Sequence, residues 1–165
     1  TVVRYAKQRF VPGSVLAAAR LEPPALSFPT EALWFHPPEA VPAFQIPGGI
    51  HALEHAMIGL LPLFVLAERQ DVGGISYPFY PRPLPSPGGP TVFIYDGYPG
   101  GVGYARRAAR RFPEWLKATL DLLRSCPCEE GCPRCVLSPK CGNGNQYLDK
   151  KAALALALAL AHPLD

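Results

Sequence analysis

The chain has 165 residues, of which 48% are hydrophobic and 18% are charged, and its 16 basic and 13 acidic side chains leave a net charge of +3. Such a chain is long and apolar enough to bury the core of one domain, which excludes intrinsic disorder of the whole. No run of 18 apolar residues is present, so no membrane span is expected. The small positive charge permits contact with nucleic acid without requiring it.

The first 47 residues are rich in proline and of mixed character. We expect short strands at residues 1–5 and at Ala32–Phe35, with extended connectors at residues 26–29 and 37–47. The chain begins with Thr rather than Met and lacks the shape of a signal peptide, so we expect it to be cut from a longer chain.

A long apolar stretch forms the middle of the chain. The Gly-Gly pair at 48–49 is expected to break the backbone before a helix over residues 50–67, which Pro62 would kink or split. A second Gly-Gly pair at 73–74 is expected to end this helix, and residues 75–80 form a possible strand.

The second half of the chain alternates turns with regular elements. Residues 81–90 hold five prolines and two glycines and must be a loop, whereas the β-branched and aromatic run 91–95 predicts the clearest strand. A turn to Gly103 precedes a helix, which is expected to restart at Pro113. A last helix begins at about Asp149, where alternating Ala and Leu favour a buried helix.

All five cysteines lie between Cys126 and Cys141, with the spacing C-x-C-x3-C-x2-C-x5-C. An odd, crowded set is a poor disulfide framework, whereas Cys-x-x-Cys beside further cysteines is typical of zinc ligands, because a tight turn aims two thiolates at one tetrahedral ion. We therefore expect one structural Zn²⁺ in a closed site. Disulfides, thiol redox chemistry and an iron–sulfur cluster are the alternatives.

The expected ligands are the compact set Cys126, Cys128, Cys132 and Cys135. Cys141 is an alternative ligand that could replace Cys126 or Cys128, because two ligands one residue apart strain a single tetrahedron. Zinc thiolates suit a reducing compartment, which predicts a cytoplasmic protein.

Together these features predict an α+β fold. We expect a small sheet with packed helices and a four-cysteine zinc segment before the C-terminal helix. Residues 1–165 would form a single domain, with 1–47 as a Pro-rich N-terminal part and 48–165 as the core.

A second group of metal-binding residue types occurs in the middle helix. His51-Ala-Leu-Glu54-His55 matches the H-x-x-E-H pattern of inverted zinc proteases, in which both histidines would hold a catalytic zinc and Glu54 would act as base. Such a site needs a third ligand, and no obvious acidic partner follows in a second helix. The alternative is a polar edge on a buried helix, with His51 and Glu54 hydrogen-bonded to loops.

The turn before the first helix of the second half lies where backbone N–H groups and the helix dipole favour an anion. It lacks the G-x-G-x-x-G and G-K-[ST] patterns of nucleotide-binding loops. We interpret it either as a tight turn that lets strand and helix pack closely, or as a site where Gly101 and Gly103 bind a backbone phosphate of nucleic acid.

Four arginines follow within six residues. They suit contact with backbone phosphates, and the alternative is a solvated face that pairs with acidic residues. The candidate nucleic-acid-binding side chains are Arg106, Arg107, Arg110 and Arg111.

Several of these motifs together resemble one known family. They are FIYDGYPGGVGYA from Phe93, CPCEEGCPRC from Cys126, SPKCGNGN from Ser138 and LDK from Leu148, with HALEH from His51. The combination resembles the zinc-binding C-terminal domain of superfamily 2 DNA-repair helicases, of the mitomycin-repair type.

The resemblance runs from about residue 48 to the end of the chain. It implies a parent enzyme that is an ATP-dependent, 3′-to-5′ DNA-repair helicase with two RecA-like domains upstream. Their motifs are absent here, so this chain alone is not expected to hydrolyse ATP. The family's zinc site maps onto the compact cysteine set, and its domain packs on the motor and helps guide DNA, expected to be single-stranded.

Two other functions compete with this one. Zinc could shape a platform that binds only proteins, or the H-x-x-E-H residues could form a metallohydrolase.

Overall fold

The computed structural model describes residues 4–8, 15–20, 27–38, 40–80 and 89–162. The expectations for residues 1–3 and for most of the 81–90 loop lie outside these residues. Within the described part, no helix combines the length and hydrophobicity that a membrane crossing needs.

The described strands form two antiparallel sheets. β1 (Arg4–Gln8) pairs with β2 (Val15–Arg20). The second sheet has β5 (Thr91–Asp96) at its centre, between β3 (Ala32–Phe35) and β4 (Val72–Tyr77). The strands predicted at 32–35 and 91–95 are therefore confirmed.

Alternation along the strands of the second sheet separates its two faces. Leu33 lies opposite Ile94 and Phe35 opposite Val92, and all four side chains are buried. Because successive side chains point to opposite faces, these residues form the face that packs on the core.

The α-helices of the described part are α1 (Ile46–Leu60), α2 (Tyr104–Arg110), α3 (Phe112–Ser125) and α4 (Lys150–Ala161). α1 lies at the centre of the core and contacts α3, α4 and the second sheet. The indole N–H of the fully buried Trp115 on α3 donates to the carbonyl oxygen of Met57 on α1 (2.9 Å), which satisfies a polar atom in the core. The antiparallel sheets and packed helices thus confirm the predicted α+β fold class.

The predicted start of α1 is wrong. The helix begins at Ile46 after a short 3-10 turn (Ala43–Gln45), so the Gly-Gly pair lies inside its first turns rather than before it. A Cβ atom at Gly49 would lie 2.8 Å from Cβ of Ala152 and from Cδ1 of Leu156. Glycine is present because α4 crosses α1 at this point, a contact that the local sequence cannot reveal.

The predicted end of α1 is also too late, whereas the predicted break at Pro62 is confirmed. The α-helix stops at Leu60, and a 3-10 turn (Leu61–Leu63) containing Pro62 follows. Proline has no N–H for the helical hydrogen bond, which explains the break.

The second Gly-Gly pair does not end a helix but lies within β4. A Cβ at Gly73 would approach the ring of Tyr95 to 2.5 Å, and a Cβ at Gly74 would approach Cδ1 of Ile58 to 2.5 Å. The two glycines therefore let the strand lie close to β5 on one side and α1 on the other. β4 starts three residues earlier than predicted as a result, and it ends at Tyr77.

The predicted restart at Pro113 and the predicted last helix are both confirmed. Pro113 occupies the first turn of α3, where a missing N–H is harmless. Asp149 caps α4, its Oδ1 accepting the N–H of Ala152 (2.8 Å).

The contact at Gly49 generates a stability test. Gly49→Ala should lower the free energy of unfolding by about 1–3 kcal/mol, because overpacking against α4 outweighs the helix propensity that alanine adds. Gly59→Ala is the matched control on the same helix. Its Cβ would meet Arg69 Nη2 at 3.5 Å, an ordinary contact, so it should be neutral or stabilising by up to about 1 kcal/mol. Urea denaturation measures both, and equal effects would contradict the proposed contact.

Candidate metal centre

Four thiols converge in the segment that joins α3 to α4. Cys126 follows the last residue of α3 in extended conformation, and its N–H closes the helix on Leu122. Cys132 and Cys135 form a tight turn, in which the N–H of Cys135 donates to the carbonyl oxygen of Cys132 (3.0 Å) and the N–H of Cys132 donates to Sγ of Cys135 (3.4 Å). The turn aims both thiols in one direction.

The Sγ–Sγ distances suit one tetrahedral ion. They are 3.5 Å for Cys126–Cys128 and Cys126–Cys132, 3.4 Å for Cys128–Cys135 and 3.8 Å for Cys132–Cys135, and all four sulfur atoms lie within 4.8 Å of one another. Four sulfur ligands at about 2.3 Å from Zn²⁺ in a tetrahedron are about 3.8 Å apart. The cluster is therefore capable of holding one zinc ion with little movement.

The turn that carries Cys132 and Cys135 packs on the hydrophobic core through Val136. Gly131 has φ of 126°, a conformation that other residues rarely adopt, and a Cβ there would lie 2.4 Å from Cγ2 of the fully buried Val136. Glycine at this position lets the turn close over Val136 directly after Cys135.

A buried lysine faces the cluster from α4. The ammonium group of Lys150 donates to the carbonyl oxygens of Cys126 (2.7 Å) and Cys128 (2.6 Å). It occupies the first turn of α4, where the helix dipole disfavours a cation. Zn²⁺ with four thiolates carries two negative charges in excess, and Lys150 and the helix N-terminus would both compensate them. In the sequence, this role is indicated by a lysine in the first turn of a predicted helix, where the helix dipole favours acidic residues.

Without metal, the pKa values of the Cys132 and Cys135 thiols move in opposite directions. A hydrogen bond from the backbone N–H of Arg134 is the main reason why the pKa of Cys132 is lowered to about 7. Burial raises the pKa of Cys135 to about 12. Binding of a metal therefore requires displacement of a proton at Cys135.

Cys141 lies outside this cluster and beside the histidines of α1. Its Sγ is 3.5 Å from Nε2 of His51, and the His51 and His55 rings are 4.4 Å apart. The third group of the H-x-x-E-H pattern is thus a thiol from the loop before α4, 90 residues away, and not an acidic residue on a second helix.

Glu54 is buried on the face of α1 that meets β4. A Cβ at Gly74 would lie 2.7 Å from its Oε1, and Ser76 hydrogen-bonds the carboxyl group. Burial raises the pKa of Glu54 to about 7. Burial also lowers the pKa of both His51 and His55, which favours neutral imidazoles.

The backbone N–H groups of the glycine turn bind a carboxylate of this chain. The fully buried Asp96 accepts four of them, with Oδ2 2.7 Å from the nitrogens of Val102 and Gly103, and 3.1 Å from that of Tyr104. Its Oδ1 accepts the N–H of Ala105 (2.8 Å). The anion site expected at the start of α2 is therefore filled from within, a pairing that sequence reasoning missed although Asp96 was visible at the strand end.

Gly101 and Gly103 accordingly have structural tasks. The N–H of Gly101 donates to the carbonyl oxygen of Tyr98 (3.0 Å), and Gly103 has φ of 90° at the N-cap of α2. This geometry favours the tight-turn interpretation, and contact of either glycine with nucleic acid stays a prediction.

The four arginines divide into two pairs. Arg106 forms an ion pair with Glu31, and Arg111 forms one with Glu114 (2.7 Å) while its guanidinium lies 5.3 Å from the Phe64 ring centroid. Arg107 and Arg110 are exposed on α2 and form no ion pair with any residue in the described ranges.

Comparison with protein families gives a match over half of the chain. The family model of the MrfA Zn-binding domain matches residues 53–136, from the middle of α1 through Val136. An uncharacterized protein of Methanocaldococcus jannaschii is 37% identical over 107 residues, which are 65% of this chain and 95% of that protein.

Larger proteins contain a similar segment. The uncharacterized ATP-dependent helicase YprA of Bacillus subtilis is 34% identical over 95 residues, which are 53% of this chain but only 12% of the helicase. The crystal structure of the DUF1998 helicase MrfA bound to DNA superimposes with a TM-score of 0.66 at 24% identity, covering 96% of this chain and 20% of that one. The last likeness establishes a shared fold.

The carboxylate of Asp96 supports a testable prediction. Asp96→Ala should lower the free energy of unfolding by about 2–4 kcal/mol, because four N–H groups lose their acceptor and a buried unpaired donor, here that of Ala105, costs about 1–3 kcal/mol. Asp121→Ala, which removes an exposed ion pair with Lys117, should change it by less than about 1 kcal/mol. Similar effects of the two substitutions in urea denaturation would contradict this role.

Proposed function

Because the chain belongs to the MrfA Zn-binding domain family, we propose that it acts as the zinc-stabilised accessory domain of an ATP-dependent DNA helicase. In this role it would help guide DNA while the motor translocates. The zinc ligands in the proposal are Cys126, Cys128, Cys132 and Cys135.

One observation carries the proposal. The chain is similar to a small part of an ATP-dependent helicase, 12% of YprA, and its fold matches 20% of a helicase solved with DNA. A segment of this size beside a much larger remainder is suited to an accessory role, with upstream RecA-like domains supplying ATP hydrolysis. Residues 1–165 would form this one domain, in the cytoplasm.

Zinc in this site would have a structural task. Four cysteines complete a tetrahedron and leave no position for water or substrate, so the ion would hold chain segments together and activate nothing. It would tie the end of α3 to the start of α4, with Lys150 binding the carbonyl oxygens of two ligand residues. The fold of α4 on α1 would depend on this link.

The contact with DNA is assigned to two of the four arginines. Arg106 and Arg111 bind carboxylates of this domain, which leaves Arg107 and Arg110 as the exposed pair on α2 for backbone phosphates. Their spacing of three residues places them on neighbouring turns of one helix face.

The zinc proposal predicts an effect on stability that depends on position. Cys135→Ser should abolish one zinc equivalent and lower the free energy of unfolding by more than about 3 kcal/mol, since binding energy of a structural zinc is folding energy. Cys141→Ser should retain the far-UV circular dichroism spectrum and most of the stability. Zinc content and urea denaturation measure both. A loss of unfolding free energy with Cys141→Ser as large as with Cys135→Ser would instead place Cys141 among the structural ligands.

The DNA proposal predicts a charge-specific loss of binding. The double substitution Arg107→Ala and Arg110→Ala should weaken binding of a fluorescent single-stranded oligonucleotide and lower the slope of log K against log salt by about 1–2. Lys117→Ala, which removes an equally exposed but paired cation on α3, should leave the slope within about 0.5. Anisotropy titrations at several salt concentrations measure this. An unchanged slope in the double variant would favour the protein-binding platform.

A further inference from the structure

Three metal-binding side chains outside the four-cysteine cluster meet at the base of a cleft. They are His51 and His55 on α1 and Cys141 from the loop before α4, and their ligand atoms lie within 4.8 Å of one another. The Sγ of Cys141 is 3.5 Å from Nε2 of His51. The three side chains come from two elements that the chain brings together across 90 residues.

Both imidazoles are oriented by backbone groups. Nδ1–H of His55 donates to the carbonyl oxygen of Val136 (2.8 Å), so its Nε2 carries the free lone pair. The backbone of Gln146 and Tyr147 lies beside the ring of His51 and opposes the effect of burial on its pKa. Metal-ligating histidines are held in this way, with one ring nitrogen on a carbonyl oxygen and the other on the metal.

The thiol has its own partner. Sγ of Cys141 is 2.7 Å from the side-chain amide of Asn143. The thiol donates to Oδ1 of that amide, and this contact fixes the direction of Sγ beside His51.

The group formed by His51, His55 and Cys141 faces a cleft on one side. The three side chains line a cleft of about 650 Å³, together with Glu54, Arg69, Tyr95 and Ser138 among others. Three protein ligands facing a cleft are typical of zinc sites that bind water or a ligand at the fourth position.

We propose that His51, His55 and Cys141 form a second Zn²⁺ site, separate from the four-cysteine cluster, with its fourth position open to the cleft. Two imidazoles and one thiolate are a borderline-soft set that selects zinc over magnesium or calcium. The ion would pin the loop of residues 141–147 onto α1, and water or an anionic group of a ligand would complete its tetrahedron.

The experiment counts metal in the full chain. Wild-type protein dialysed after loading with Zn²⁺ should hold two equivalents by mass spectrometry, whereas Cys141→Ser and His51→Ala should hold one each. His162→Ala is the matched control, because His162 is an exposed histidine after α4, and it should hold two. Two equivalents in Cys141→Ser would overturn the proposal.

Cadmium NMR of the wild-type protein keeps the proposal testable if a variant misfolds. Cd²⁺-loaded protein should give two resonances, one from an all-sulfur ligand set and one from a mixed nitrogen and sulfur set. A single all-sulfur resonance with one bound equivalent would overturn the second site while leaving the structural zinc intact.

Discussion

The crowding of four thiols between α3 and α4 is the constraint on which the rest of this fold depends. Two thiolates 4 Å apart repel by about 4 kcal/mol at an effective dielectric constant of 20, so full ionisation of the cluster without a cation is costly. Burial, which raises the pKa of the Cys135 thiol, adds to this cost. A single Zn²⁺ removes it, and Lys150 is placed to offset the remaining charge.

The same segment organises much of its surroundings. Val136, directly after Cys135, is fully buried and its carbonyl oxygen orients His55, so the turn that presents two thiols also sets one imidazole. α4 begins at Lys150 and packs on Gly49 of α1. The four-cysteine cluster is therefore linked to α1 through the contact of Val136 with His55 and through the start of α4. Loss of order at the cluster would disturb the packing of the core.

Sequence patterns predicted correctly those structural features that depend only on residues a few positions apart. The spacing of the cysteines, the β-branched run of β5 and Pro113 at the start of α3 each predict their structure because the determining groups lie within a few residues. The two Gly-Gly pairs led to wrong element boundaries because the residues that require glycine at these positions are distant in the sequence. Gly49 faces Ala152 and Gly73 faces Tyr95, and nothing near either pair distinguishes close packing from a chain break. The contact between Cys141 and His51 could not be predicted for the same reason, since the two residues are 90 positions apart in the sequence.

The arginine pair limits what this domain can do by itself. Two phosphate contacts yield only a shallow salt dependence and weak affinity, far from the many contacts of proteins that hold DNA tightly. An accessory domain tethered to a motor would not need more, because the motor would keep DNA at high effective concentration and even a weak basic surface would then bias its path. In the proposed arrangement the ion pairs of Arg106 with Glu31 and of Arg111 with Glu114 would occupy two of the four arginines and leave Arg107 and Arg110 for the phosphates.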